Sequence, residues 1–596
     1  MRRSHLARTV ALMPLALAMS AGAALAAGNP CDPHTYGAVG DGTNNGTPNT
    51  VAIQSAINAC NAAGGGIVPI SVVNGKGVYL TGPIQLLSHV LLQVNAGATL
   101  LATTDEGQYS IAFLDYPMPG TNVFPYTPTA PYEALIFAFQ AVDTGIIGTG
   151  TINGQGNVPS TTTNRPVGTG VNGFAAGPIT GSNPSYVNSV ESPSTMNCWG
   201  SPGSPHACTA FPSPPTGLTV NGTPWYAAPE NDMPTSNGPA RPWLVEFYQC
   251  SNVTINGITL EDSPMWNMVL RNDSNVTVSN YHVQNYSDPG ATVLAGSIGT
   301  NTDGMDVVGS SYVTISNINE QVGDDDVAIK SGLPVNVVSG SPVTSDPNET
   351  GLPTLPSHDI SVTNSTITGG HGISIGSEAS NGIYNVHIQN INASGSGLSE
   401  VLRIKTGRTR GSYNPGIHDI TVQNMVANGA AQPILVYDYY PASAPPVETT
   451  PSTFDLPQAI QANTPNVYNL TISGLTATGA TSPAIISGVP EACILNVVLN
   501  NVSITTNTSG VTTAVPNSLP AGMFQLRNVT GTFTNVNLTS THPGGPIAPW
   551  AEQENVQVTT AGTTPALPFP YTGPGTGTGP LNTSPAGAVC ATSPPG

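Results

Sequence analysis

Short runs along most of the chain alternate β-branched with polar residues and close on Asn or another small polar residue. They read NVTING (252–257), NVTVSN (275–280), YVTISN (312–317), DISVTN (359–364), NVHIQN (385–390), DITVQN (419–424), NLTISG (469–474) and NVVLNN (496–501), with an earlier echo in TGIIGTGTINGQG (144–156). Alternation with period 2 and β-branched enrichment predict half-buried strands. Spacings between the first aliphatic residues of successive runs are 23, 37, 47, 26, 34, 50 and 27. The short values fit one coil of a parallel β-solenoid, and the long ones fit coils that carry loops. Asn residues repeated at coil corners are suited to hydrogen-bonded ladders.

A second column accompanies the first. Eleven residues after Val253, Val313 and Ile360 stand Pro264, Asp324 and His371. The segments SPMWNMVL (263–270), NTDGMDVV (301–308), GDDDVAIKSG (323–332), GHGISIGSE (370–378), LRIKTG (402–407) and QPILVYDYY (432–440) are therefore expected on one face built by successive coils. Parallel strands stack about 4.8 Å apart, so Asp303, Asp324, His371 and Arg403 are predicted to meet. Helical periodicity is scarce; the best amphipathic segment is VAIQSAINACNAA, 51–63. Residues 157–240, 333–357 and 441–466 break the pattern and read as insertions rich in Pro, Ser, Gly, Thr and Asn. From about 561 the chain is a low-complexity tail, expected to be flexible. The coils between, 27–560, are expected to form one domain.

Composition narrows the setting. The first residues, MRRSHLARTVALMPLALAMSAGAALAA, place arginines before an apolar run and end on small residues. This predicts a secretory leader over 1–26 and an extracellular protein without a membrane span. Seven cysteines are too few for a disulfide scaffold; Cys31–Cys60 and Cys198–Cys208 are candidate staples, with at least one thiol left over. Three of the 13 Lys/Arg fall inside the leader, so 33 acidic residues face few cations. Such a field repels nucleic acid and anionic membranes. A monomer is expected. Yet Arg403, Lys405, Arg408 and Arg410 cluster within eight positions, which suggests an anionic ligand beside them, with a local salt-bridge network as the alternative.

Carboxylates, a histidine and an Arg-x-Lys pair on one face suit glycoside hydrolysis. One carboxyl protonates the leaving oxygen and another activates water, while crowding raises the pKa of whichever group keeps its proton. Arg403 and Lys405, two apart on a strand, point the same way and could hold a substrate carboxylate. Lys330 is equally read as the structural partner of a neighbouring carboxylate, and Trp266 as packing. Arg408 and Arg410 are expected at the rim.

The ordered motifs NTDGMD, GDDDVAIK, GHGISIGSE and RIK resemble those of the polygalacturonases, glycoside hydrolase family 28, particularly the bacterial members. YGAVGDGTNN…AIQSAINAC, YLTGPIQLLSHVLLQVNAGATL and RPWLVEFYQCSNVTINGITLEDSPMWNMVL are also similar to that family, and the likeness runs from about 34 to 505 outside the insertions. The resemblance implies an all-β right-handed parallel β-helix, hydrolysis of α-1,4-galacturonosidic bonds of polygalacturonate with inversion, and no metal or other cofactor. Residue by residue, it makes Asp324 the general acid, and Asp303 and Asp325 the groups that position and activate water. It also makes His371 the residue that assists the acid's protonation and binds substrate. Arg403 and Lys405 match the pair that binds galacturonate carboxylates, and Asn301 and Tyr440 match substrate-contacting positions.

Strand geometry alone would pair Asp324 with Asp326 on one face; pairing Asp324 with Asp325 requires a local bulge or turn, and Asp326 is read as accessory. The core motifs look closer to endo-acting enzymes, although the insertions at 157–240 and 333–357 could wall off one end of the groove and impose terminal attack. The alternatives are a rhamnogalacturonan hydrolase, a calcium-dependent pectate lyase and a non-catalytic saccharide-binding solenoid. EDTA sensitivity with an unsaturated product would mark the lyase, and binding without turnover the last.

Overall fold

The computed structural model describes residues 29–42, 47–104, 134–156, 242–285, 301–332, 335–338, 341–343, 355–440, 455–506, 523–541, 550–552, 555–566 and 590. The leader expected over 1–26, the insertion at 157–240, most of the tail, and Cys198 with Cys208 lie outside them.

The alternating runs do stack as coils. Val253, Val276, Val313, Ile360, Val386, Ile420 and Leu470 are successive partners in one parallel register. Each is buried, while the threonine or serine that follows in the early runs faces outward. The inward aliphatic positions thus form continuous apolar columns, and burying each such side chain is worth about 1.5–3 kcal/mol. Longer strands such as Ser357–Gly370 pair with both Ser311–Ser316 and Asn319–Gln321, so they turn a corner of the coil without breaking. The result is the expected parallel β-helix.

Corners are held by side-chain ladders. Asn252 donates to Asp143 at 2.8 Å and Asn275 to Asn252 at 2.7 Å; Asn390 and Asn424 continue a second ladder from Asn364. These asparagines adopt φ near +55°, where Asn is among the least strained of non-glycine residues. A column of rings, His358, Tyr384, His418 and Tyr468, stacks along another corner at centroid spacings of 5.0, 5.0 and 4.6 Å.

The helix spans Thr47–Ala62, a little longer than its periodic core, and lays Ile53, Ala56, Ile57 and Cys60 against the first coil. Cys60 is bonded to Cys31, one of the two candidate staples. A second disulfide, Cys493–Cys590, was not anticipated; it fastens the tail to a late coil. Cys250 is the free, buried cysteine among the described residues. No described helix is long and apolar enough to cross a membrane.

Candidate active site

Six motif segments fall on one parallel sheet, as strands Met268–Arg271, Met305–Val308, Val327–Lys330, Ile373–Gly376, Glu400–Lys405 and Gln432–Tyr437. Asp303, Asp324, Asp325, His371 and Glu400 sit at or just before the starts of these strands, whereas Arg403 and Lys405 lie within the fifth and Tyr440 follows the sixth. Met305 pairs with Val327, Val327 with Ile373, and Ile373 with Leu402. Continued back two residues, this register aligns Asp303, Asp325, His371 and Glu400.

That column differs from the expected one at two positions, Asp325 for Asp324 and Glu400 for Arg403. Fourteen positions separate Val313 from Val327, but thirteen separate Ile360 from Ile373, although both pairs are in register. The turn at Gly323–Asp326 therefore holds one extra residue. An equal count from the outer strands lands on Asp324, whereas the backbone puts Asp325 beside His371 and Glu400, rather than Arg403, next in line. The extra residue also answers the facing problem: 324–326 is a turn and not a strand, so the alternation rule does not apply there.

Asp303, Asp324 and Asp325 each bring a carboxylate oxygen to within 4.8 Å of the others. Asp303 and Asp325 are 3% and 1% exposed, whereas the Asp324 side chain retains 21%. Asp324 Oδ2 accepts from the Asn301 N–H at 3.1 Å and its Oδ1 from the Asp325 N–H at 3.0 Å. Asp326 is fully buried and turns away from this group, accepting the Gly372 N–H at 2.9 Å.

Cations divide the three carboxyls electrostatically. Asp325 Oδ2 accepts from Lys405 Nζ at 2.8 Å, and Oδ1 accepts from Arg403 at 3.1 Å and from Ser374 Oγ at 2.6 Å. Burial opposes its charge, but Lys405 and Arg403, with His371 and Lys330 behind them, hold the carboxyl well below the usual range. Asp303 goes the other way: burial, reinforced by Asp306 and Asp324 and opposed by Lys330, lifts it well above that range. Lys330 lies 2.6 Å from Asp306 and 3.8 Å from Asp303, and over the Trp266 ring at 4.0 Å. Burial raises Asp306 to about 7 despite that lysine. Arg403 and Lys405 thus both serve Asp325, while Lys330 sits between Asp306 and Asp303.

His371 Nδ1 is 2.6 Å from Glu400 Oε2, and Nε2 is 4.0 Å from Asp324 Oδ1. Burial would lower its pKa, but the Glu400 hydrogen bond and the charges of Asp324 and Glu400 raise it overall against Arg403. The Tyr440 ring flanks Lys405 Nζ at 5.5 Å.

All the residues singled out from the sequence therefore lie together, Asn301 through its backbone N–H. The four clustered cations all have internal partners: Arg408 bonds Glu491 and Asp455, and Arg410 bonds Glu378. For Arg408 and Arg410 this is the salt-bridge network and not a free rim. Trp266 is 2% exposed and stacks on Trp243, which is packing. Sequence reasoning missed Ser374, Asp306 and Glu400. A serine inside the apolar strand ISIG was the available signal for the first; for Glu400 it was the 29-residue spacing from His371, the same as from Ile373 to Leu402.

The family model described as Glycosyl hydrolases family 28 matches residues 216–521, which include every site residue above. An endo-polygalacturonase of Pectobacterium carotovorum subsp. carotovorum is 24% identical over 391 residues, 66% of this chain and 72% of that protein. Among solved structures, a hyperthermoactive exopolygalacturonase from Thermotoga maritima superposes with a TM-score of 0.54 at 22% identity, covering 85% of this chain and 91% of that one. The family 28 exopolygalacturonase of Yersinia enterocolitica gives a TM-score of 0.56 at 19% identity, covering 89% and 77%. Both structural likenesses concern the fold.

Proposed function

Because the chain belongs to the glycosyl hydrolases family 28, we propose that it hydrolyses the α-1,4-galacturonosidic bonds of polygalacturonate with the Asp303–Asp324–Asp325 cluster. The observation that carries this reading is the unequal environment of three neighbouring carboxyls. Asp324 is the one that keeps substantial exposure and a histidine at 4.0 Å, as suits an acid that must reach the leaving oxygen. Asp325 is held anionic by Lys405 and Arg403, as suits a group that orients water, while burial and acidic neighbours raise Asp303 and make it the stronger base beside that water. As the bond from the anomeric carbon to the leaving oxygen breaks, that oxygen takes the Asp324 proton; water adds to the anomeric carbon and its proton passes to the carboxylate side of the cluster. Arg403 and Lys405, although bonded to Asp325, are the cations on this face that an anionic sugar would meet.

Arg403 and Lys405 then serve twice, fixing the ionisation of Asp325 and meeting a galacturonate carboxylate, with Asn301 and Tyr440 at the margin of the same site. Internal attack is the favoured mode, in line with the name of the Pectobacterium relative; terminal attack is the second reading, favoured by the names of the two structural neighbours. Secretion is supported by two disulfides, Cys31–Cys60 and Cys493–Cys590, since such bonds persist in oxidising compartments. The deciding experiment follows viscosity and new reducing ends together on de-esterified polygalacturonate. A fast viscosity loss with mixed oligomers means internal cutting. Mono- or digalacturonate from the first time point means terminal cutting, and no new reducing ends refutes the hydrolase.

A further inference from the structure

Glu400 has no place in the reaction as described so far, yet it makes one of the shortest side-chain contacts in the site. Its Oε2 lies 2.6 Å from His371 Nδ1, and its side chain is 13% exposed. The contact is a product of register. Glu400 opens the strand that also carries Arg403 and Lys405, and backbone alignment places it one coil beyond His371. On the other side His371 faces Asp324, with Nε2 to Oδ1 at 4.0 Å. The three groups form a line, Glu400–His371–Asp324, that runs across successive coils and ends at the residue assigned as the acid.

We propose that Glu400 is a positioning residue that holds His371 as the imidazolium with Nε2–H directed at Asp324, so that His371 returns a proton to Asp324 after each cleavage. The inference rests on the reading of Asp324 as the general acid. The proton balance is complete. Cleavage moves the Asp324 proton to the departing sugar oxygen and leaves a carboxylate; His371 Nε2 gives up its proton to that carboxylate; the imidazole, 29% exposed, regains one from water. Glu400 stays ionised throughout, since burial is outweighed by its bond to His371 and by the nearby charges of His371 and Arg403.

Other charges bearing on the imidazole make Glu400 decisive. Asp324 favours its protonated form, Arg403 disfavours it, and Asp325 lies beside it with its charge already met by Lys405 and Arg403. Without Glu400, one carboxylate at 4.0 Å is left to offset burial and a guanidinium. A carboxylate at Nδ1 also fixes which nitrogen points to Asp324. A neutral amide could keep the shape of that contact but not its charge.

The test compares wild type with Glu400→Gln and Glu400→Asp in the full chain, by two readouts. Nitrogen-15 titration of His371 without substrate should show its midpoint falling by at least about one pH unit in E400Q, as expected for loss of a charge-assisted hydrogen bond. In kcat/KM profiles on polygalacturonate the alkaline limb should move to lower pH by the same amount. The plateau kcat should drop about tenfold, a modest acid–base effect, with KM within about twofold; E400D should restore part of each. A His371 midpoint that does not move, or a pH-independent loss with an altered KM, overturns the proposal. Asp324→Asn separates the two readings: if it retains activity the acid assignment fails by itself, while the His371 midpoint still decides whether Glu400 controls the imidazole. Equal melting temperatures for wild type and E400Q would confirm that the profile reports chemistry; if E400Q is poorly folded, Glu400→Ser removes the same charge and supplies the comparison.

Discussion

Replacing Asp326 with asparagine separates the neighbours in a run of three aspartates. Asp326 is fully buried and accepts the Gly372 N–H at 2.9 Å, facing away from Asp303 and Asp325. Burial, then the charge of Glu320, pushes its pKa well above the ordinary value, which favours the protonated form, and an amide is nearly isosteric with that form. The linkage has a definite sign. The unfolded carboxyl ionises above about pH 3.9, whereas the native one keeps its proton, so wild-type stability falls as pH rises through that window. The slope is about 1.4 kcal/mol per pH unit until the native group itself ionises. Asparagine does not titrate and escapes this loss. Its new N–H2 group costs about 1–3 kcal/mol if it finds no acceptor. The variant is therefore expected within about 2 kcal/mol of wild type at pH 5, and to gain on it as pH rises from 5 to 6. Urea unfolding at both pH values reads the stability, and a reducing-end assay reads the activity. D326N should keep at least about a third of wild-type activity, while D324N loses about 10²–10⁴-fold. Comparable losses in the two variants would refute the division between a cleft-facing pair and an inward third aspartate.

Lys405→Met removes the amine at 2.8 Å from Asp325, both groups being buried. Breaking such a pair costs about 3–5 kcal/mol, lessened here by Arg403 and Ser374, so the melting temperature and kcat should both fall; a rise in KM alone would mean that Lys405 acts on substrate and not on Asp325. Asp325 has a depressed native pKa, so its contribution to stability is present above about pH 4 and is lost as pH falls below it. Between pH 5 and pH 2.5 the melting temperature of wild type should therefore drop further than that of D325N. The closest oxygens of the acidic cluster lie within 4.8 Å, nearer than the roughly 6.5–9.5 Å between carboxyl groups of many inverting glycosidases. Inversion is nevertheless expected from family membership, so proton NMR should show the β-anomer first from the α-linked polymer, and the α-anomer first would contradict it.

The coil architecture was legible because its signal is repeated. Val253 to Leu470 mark one column, and a period-2 strand pattern has few other ways to bury them. The site face was legible for the same reason, since Asp303, Asp324, Asp325, His371, Arg403 and Lys405 precede or occupy strands of a single sheet. What could not be read was the length of each turn in space. One additional residue at Gly323–Asp326 shifts the column from Asp324 to Asp325, and a count along the sequence cannot tell a turn residue from a strand residue. Glu400 was hidden by a separate irregularity in its own coil, where Ile367 pairs with Ala393 but Gly369 with Gly397. It stands an odd number of positions before Arg403, which on a flat strand implies the opposite face, yet it begins the strand, where the alignment with His371 governs. Ser374 was marked only by being a serine inside the apolar strand ISIG, and its bond to Asp325 one coil away depended on side-chain reach that no local pattern encodes.

The central claim is that this acidic cluster hydrolyses polygalacturonate without needing a metal ion. The most direct measurement follows reducing ends and ultraviolet absorbance together, on de-esterified polygalacturonate in EDTA, with wild type and D324N side by side. The account predicts that wild type generates reducing ends without an unsaturated product and that D324N generates almost none. Activity lost in EDTA, an ultraviolet-absorbing product, or equal rates for the two proteins would contradict it.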